Sequence, residues 1–187
     1  MPNKTIPEPW RSFFQEIDAL LSEETALEIL GGFVVTQVYG AARSTADVDV
    51  VSITPKKLSQ ILLKIAGEGS PLHKKHKVYL DSVGIATLPE NYQDRLGEIA
   101  AGTFKNLRLL ALDPYDVALA KIERNIQRDR DDVRFLARAV PFDLEILKDR
   151  YERELRPILG NPEREDLTLK LWIDAVEEDR RTNQRLK

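Results

Sequence analysis

Two aspartates one residue apart, Asp47 and Asp49, sit in the run Ala46-Asp47-Val48-Asp49-Val50-Val51, and a glycine pair, Gly31-Gly32, precedes them. In a strand the side chains alternate faces, so both carboxylates point one way while Val48 and Val50 point the other. Their Cα atoms would lie roughly 6.5–7 Å apart, so both could reach one divalent cation or bridge two. Like charges this close repel unless a cation neutralises them. An isolated Asp-x-Asp also suits a water-facing strand start. Downstream of a glycine pair and on a valine-rich strand, metal binding is the better reading. Asp81, within Val78-Tyr79-Leu80-Asp81-Ser82-Val83, is the natural third ligand or a general base; the alternative is an exposed position on an edge strand.

Gly31-Gly32 opens a segment of helical character, which would aim free N–H groups at an anion above the strand end. Glycine also lets backbone approach a phosphate without a Cβ in the way. Arg43, Ser44 and Thr45 lie between that segment and the strand, where they can contact phosphate or hydrogen-bond the turn. A structural ion pair is an equal reading for Arg43. Flexible backbone followed by paired carboxylates is what an enzyme needs to hold a nucleoside triphosphate. The chain has no cysteine and only His73 and His76. A metal here must therefore be held by carboxylates, which points to Mg²⁺ or Mn²⁺.

The elements around these residues read as an α+β (α/β) protein, a small mixed β-sheet flanked by helices. An amphipathic helix is expected over Trp10–Leu21 and a buried strand over Ala26–Leu30, with a short helix over Phe33–Tyr39 and a strand over Asp47–Ile53. Pro55 opens a helix that ends at Gly67-Glu68-Gly69. Further strands are expected over Val78–Ala86 and Leu107–Leu112, joined by a helical connection over Tyr92–Ile99. The cluster from His73 to Lys77 reads as a solvated loop. After Asp113 strand signals vanish. Helices are expected over about Pro114–Asn125, Arg130–Val140, Phe142–Leu159 and Pro162–Glu178, with a frayed tail from Asp179 to Lys187. The division is thus residues 1–112 as the α/β core and 113–187 as a helical region packed on it.

Of the 187 residues 42% are hydrophobic and 32% charged, a soluble globular composition, and the formal net charge of -3 argues against coating nucleic acid by bulk electrostatics. No segment approaches the ~20 apolar residues of a membrane span, and the N-terminal residues lack a signal peptide pattern. A cytoplasmic protein without a membrane partner is expected.

Gly31-Gly32, Asp47-Val48-Asp49 and Asp81 together resemble the core pattern of nucleotidyltransferases of the DNA polymerase β superfamily. The stretch from Arg43 to Asp49 is similar to the minimal nucleotidyltransferases related to type IV toxin–antitoxin (abortive-infection) toxins. Two further motifs of those toxins are matched. One is a helix bearing a lysine, here Leu112 to Lys121; the other is an Arg-rich segment ending in Asp before apolar residues, here Arg128 to Val133. The resemblance spans roughly Leu27 to Leu136. It implies that Lys121 contacts the nucleotide and that Asp132 completes the site. It further implies Mg²⁺-dependent transfer of an NMP from an NTP to a hydroxyl of tRNA, a protein or a small molecule, and a cognate antitoxin as partner. Where many members carry a phosphate-binding serine this chain has Gly32, so that contact must come from backbone N–H, Ser44 or Thr45.

The residues themselves leave alternatives beside the resemblance. Asp113 and Asp116 suit helix capping. Lys121 can be a flank lysine whose ammonium reaches water, and Asp132 a first-turn acid favoured by the helix dipole. Arg130, Arg134 and Arg138 stack on one helix face, either along a nucleic-acid backbone or as a surface with acidic partners. A catalytically degenerate binding protein and an Asp-x-Asp glycosyltransferase are the competing functions.

Overall fold

Helix α1 (Trp10–Leu20) forms where the sequence places apolar residues at helical spacing, and it buries Trp10, Phe13, Phe14 and Ile17. Full burial of side chains this size stabilises by about 1.5–3 kcal/mol each. In this computed structural model, which describes residues 6–84 and 86–185, a five-stranded mixed sheet has the order β3-β2-β1-β5-β4. The strands are β1 (Thr25–Leu30), β2 (Asp47–Thr54), β3 (Tyr79–Ser82), β4 (Gly97–Ile99) and β5 (Leu107–Ala111). β1 runs antiparallel to β2 and parallel to β5; β2 and β3 are parallel, β4 and β5 antiparallel.

Register sorts the two faces of the sheet. Leu27 pairs with Ile53 and Leu109, Ile29 with Val50 and Ala111, and Val48 with Leu80, all buried. Those residues share one face. On the other face Asp49 pairs with Leu30 and Asp81, and Glu28 with Ser52 and Leu110. The register shifts between Glu28 and Ile29, leaving Val51 as an extra residue on β2. Asp18 on α1 accepts hydrogen bonds from the N–H groups of Lys105, Asn106 and Leu107 at 3.0, 2.7 and 2.8 Å, which anchors the start of β5 to that helix.

Between β1 and β2 the chain forms α2 (Gly31–Phe33), which widens into a π turn over Val34–Val38. After β2 come a 3₁₀ turn (Lys56–Leu58), α3 (Ser59–Ala66) and α4 (Pro71–His76). The chain divides into two compact units, one of Met1–Ala86 with Gln93–Asp113, the other of Thr87–Tyr92 with Pro114–Lys187. The second contains α5 (Pro114–Leu119), α6 (Gln127–Ala139), α7 (Leu144–Arg150) and α8 (Glu163–Arg185). Its Tyr115 and Phe142 rings stack at 4.5 Å, and the Arg150 guanidinium lies over Tyr115 while donating to buried Asp116 at 3.0 Å.

Several expectations are corrected. His73–His76 belong to a helix, not a loop: Ser70 caps it by accepting from the His73 N–H, Pro71 starts it, and Leu72 is buried. Within Tyr92–Ile99 only Tyr92–Arg95 is a 3₁₀ turn, and Gly97–Ile99 is a strand. The third strand ends at Ser82 rather than Ala86, with Ile85 outside the described residues. The tail expected to fray continues α8 through Arg185, because Asp179 accepts from Arg134 and Arg138 and Arg180 donates to the Phe142 carbonyl. Leu186 and Lys187, like residues 1–5, lie outside the described residues. No helix among the described residues is long and apolar enough to cross a membrane.

Candidate active site

At the end of β1 the chain turns at Gly31, whose φ of +75° is open to glycine and costly for other residues. A Cβ built there would fall 1.7 Å from Asp49 Oδ2, so the Asp49 carboxylate lies directly on the Gly31 backbone. A Cβ on Gly32 would come 3.0 Å from Thr45 Oγ1 and 3.3 Å from both terminal nitrogens of Arg43. Thr45 in turn donates its hydroxyl proton to Asp47 Oδ1. The structure thus gathers Gly31, Gly32, Arg43, Thr45, Asp47 and Asp49, six residues singled out in the sequence. Ser44 is exposed in the same turn.

The helical segment holds the glycine pair in place. Thr36 Oγ1 donates to the Gly32 carbonyl at 2.9 Å, and Tyr39 Oη donates to the Leu112 carbonyl at 3.4 Å. The π turn closes through Tyr39 N–H to Val34 O at 3.2 Å and Ala41 N–H to Val35 O at 3.1 Å. Such turns are frequent at functional sites, though a second one over Tyr151–Leu155 lies in the other unit. Since the helix begins at Gly31 and its first internal bond is that of the Val34 N–H to the Gly31 carbonyl, the N–H groups of Gly31, Gly32 and Phe33 precede the helical ladder.

Asp47 and Asp49 are half-buried while Val48 and Val50 are buried. Asp81 is exposed and in register with Asp49 on parallel β3, hence on the same face. Tyr79, in register with Asp47, reports their shared field. Burial raises the pKa of its phenol, and the charges of Asp47, Glu68, Asp81 and Asp49 raise it further. No three His, Cys, Asp or Glu side chains converge into a metal-holding group among the described residues. Two carboxylates on one face nonetheless fit Mg²⁺, which takes one or two protein carboxylates and completes its octahedron with substrate phosphates and water.

In the second unit Lys121 and Asp132 meet inside a buried ion cluster. Lys121 is 5% exposed, and its Nζ lies 3.0 Å from Asp132 Oδ2 and 3.4 Å from Asp129 Oδ1. Asp129, fully buried, also accepts from Arg124 at 2.6 and 2.9 Å and from the Ile126 N–H at 3.1 Å, capping α6. Sequence alone presents Asp129 only as an acidic neighbour of the arginines. The signal that marks it is an acid at the third position of a helix, where its carboxylate reaches back to the N–H of Ile126. Arg134 and Arg138 face Asp179 and Arg130 donates to Asn125, so this basic stripe has protein partners.

Burial pushes the Asp129 carboxyl up, but the Arg124 hydrogen bond, the charges of Lys121 and Arg124 and the Ile126 N–H together hold it below the ordinary carboxylate value. A depressed folded pKa stabilises fully above the unfolded value and is lost as pH falls through the folded one. Asp129→Asn is expected to destabilise by about 1–3 kcal/mol at neutral pH, since it removes a buried charge that Lys121 and Arg124 share, while Asp132 still pairs with Lys121 and Arg124 is exposed to water. Urea unfolding at pH 7 and below about pH 4 checks it. The variant's deficit should shrink as the wild type loses the same contribution in acid; an undiminished deficit would contradict this.

A scan against protein-family models matches residues 10–180 to a family described as nucleotidyltransferase of unknown function (DUF6036). Searches of the curated proteins and of the solved structures return no match. That family match takes in both compact units and every residue gathered around Gly31 and Asp49, and the chain belongs to this nucleotidyltransferase family.

Proposed function

We propose that the chain is a Mg²⁺-dependent nucleotidyltransferase, with Mn²⁺ able to substitute, that moves an NMP from an NTP to a hydroxyl acceptor. The observation that carries this reading is the seating of the Asp49 carboxylate on Gly31 beside Asp47, with Arg43 over Gly32. Asp47 and Asp49 would hold the cation against the triphosphate, while Arg43, Ser44 and the first-turn N–H groups hold phosphate oxygens. Bound there, Mg²⁺ neutralises charge on the attacking and leaving oxygens. Asp81, exposed on the same face, takes the proton of the acceptor hydroxyl as its oxygen attacks the α-phosphorus and pyrophosphate leaves.

Acceptor classes are tRNA, a protein side chain or a small molecule, in a cytoplasmic setting. A toxin role with a cognate antitoxin, and the nucleotide contacts of Lys121 and Asp132, enter through the sequence resemblance. The observed partners of Lys121 are Asp129 and Asp132. Incubating the protein with each α-labelled NTP, Mg²⁺ and each acceptor class should yield labelled acceptor and free pyrophosphate, with EDTA stopping both. Absence of Mg²⁺-dependent NTP binding by calorimetry would overturn the proposal.

A further inference from the structure

Thr45 stands beside both Gly32 and Asp47, and its hydroxyl has one proton to give. That proton goes to Asp47 Oδ1. An ionised carboxylate only accepts, so the direction of this bond is fixed. A phosphate oxygen would also need to accept, so the Thr45 hydroxyl cannot serve both. Binding at Oδ1 restrains the rotation of the Asp47 carboxylate and leaves Oδ2 outside this bond.

We propose that Thr45 is a positioning residue for Asp47 rather than a phosphate contact, and that residue 32 is glycine so that this hydroxyl keeps its place. The inference rests on the metal-dependent reading above. Hydrogen-bonding groups behind a metal ligand typically change metal affinity by about 10–100-fold when removed. A Cβ at residue 32, 3.0 Å from Thr45 Oγ1, would require that hydroxyl to give by a few tenths of an ångström, which disturbs its bond to Asp47. Phosphate recognition then falls to Arg43, whose two terminal nitrogens flank the same point at 3.3 Å.

The test is calorimetry with two titrations, Mn²⁺ at saturating NTP and NTP at saturating Mn²⁺, on wild type, Thr45→Val and Thr45→Ser. The NTP used is the one of the four that wild type binds tightest. Thr45→Val should weaken Mn²⁺ binding about 10–100-fold, saturating Mn²⁺ should restore its NTP affinity, and Thr45→Ser should recover the wild-type Mn²⁺ value. Gly32→Ala provides a second variant that crowds the same hydroxyl with Thr45 intact, and should weaken Mn²⁺ binding in the same direction by a smaller factor, its crowding of Arg43 being read separately in the NTP titration. If Thr45→Val loses NTP affinity that saturating Mn²⁺ does not restore, Thr45 is a phosphate contact and the inference falls. Unchanged Mn²⁺ affinity in Thr45→Val overturns it too. Failure of wild type itself to bind NTP with Mn²⁺ sinks the metal-dependent reading and this inference with it.

Discussion

Asp49→Asn is expected to lower NMP transfer by on the order of a thousandfold, about 4 kcal/mol of transition-state stabilisation. The amide keeps the size and much of the hydrogen bonding of the carboxylate that rests on Gly31. What it loses is the negative charge that, in the proposed function, would hold a cation against the triphosphate. Asp49 is half-buried at the open face of β2, so the unfolding free energy should move by no more than about 1 kcal/mol. Activity and stability therefore separate in this variant. Steady-state transfer rates and urea unfolding on one preparation check the separation. Transfer within tenfold of wild type, or a stability loss large enough to explain the activity loss, would count against a metal role for Asp49.

This part of the molecule is the most readable in the sequence, for a local reason. Alternation in Asp47-Val48-Asp49-Val50 states which side chains face the core, and the observed burial follows it. The glycine pair and the Arg43–Thr45 turn lie within one loop's reach of that strand, so their convergence needs no distant partner. Other elements depend on partners far along the chain. Gly97–Ile99 is too short for any periodicity and is a strand because Glu98 pairs with Leu110. Asp179 lies in helix rather than in a frayed tail because Arg134 reaches it, 45 residues away in the chain. The π widening at Val34–Val38 has no proline or glycine to mark it in the sequence. Within the site itself, the sequence leaves open what the Thr45 hydroxyl bonds, and the fold gives it Asp47 as acceptor. The helix over His73–His76 is different, since Ser70-Pro71 is a readable start signal masked by the run of charge that follows.

Gly31→Ala is expected to be nearly as damaging to transfer as Asp49→Asn, and far more damaging to the fold. Two separate effects act at this residue. The positive φ of +75° costs a Cβ-bearing residue about 1–2 kcal/mol. The added methyl would also overlap Asp49 Oδ2, 1.7 Å away where carbon and oxygen ordinarily stay beyond about 3 Å, so the carboxylate must leave its seat. Gly102→Ala separates the two, because Gly102 has the same φ of +75° and a methyl added to it would meet nothing within 4 Å. That variant should lose only the backbone share of stability and keep its transfer activity. The double variant Gly31→Ala with Asp49→Ala removes the overlap while keeping the backbone strain. Its destabilisation should therefore be smaller than the sum of the two single changes, by the non-additivity expected of touching residues, about 0.5–3 kcal/mol. Strict additivity in urea unfolding, or a Gly31→Ala protein no less stable than Gly102→Ala, would mean that the carboxylate does not rest on the Gly31 backbone in solution.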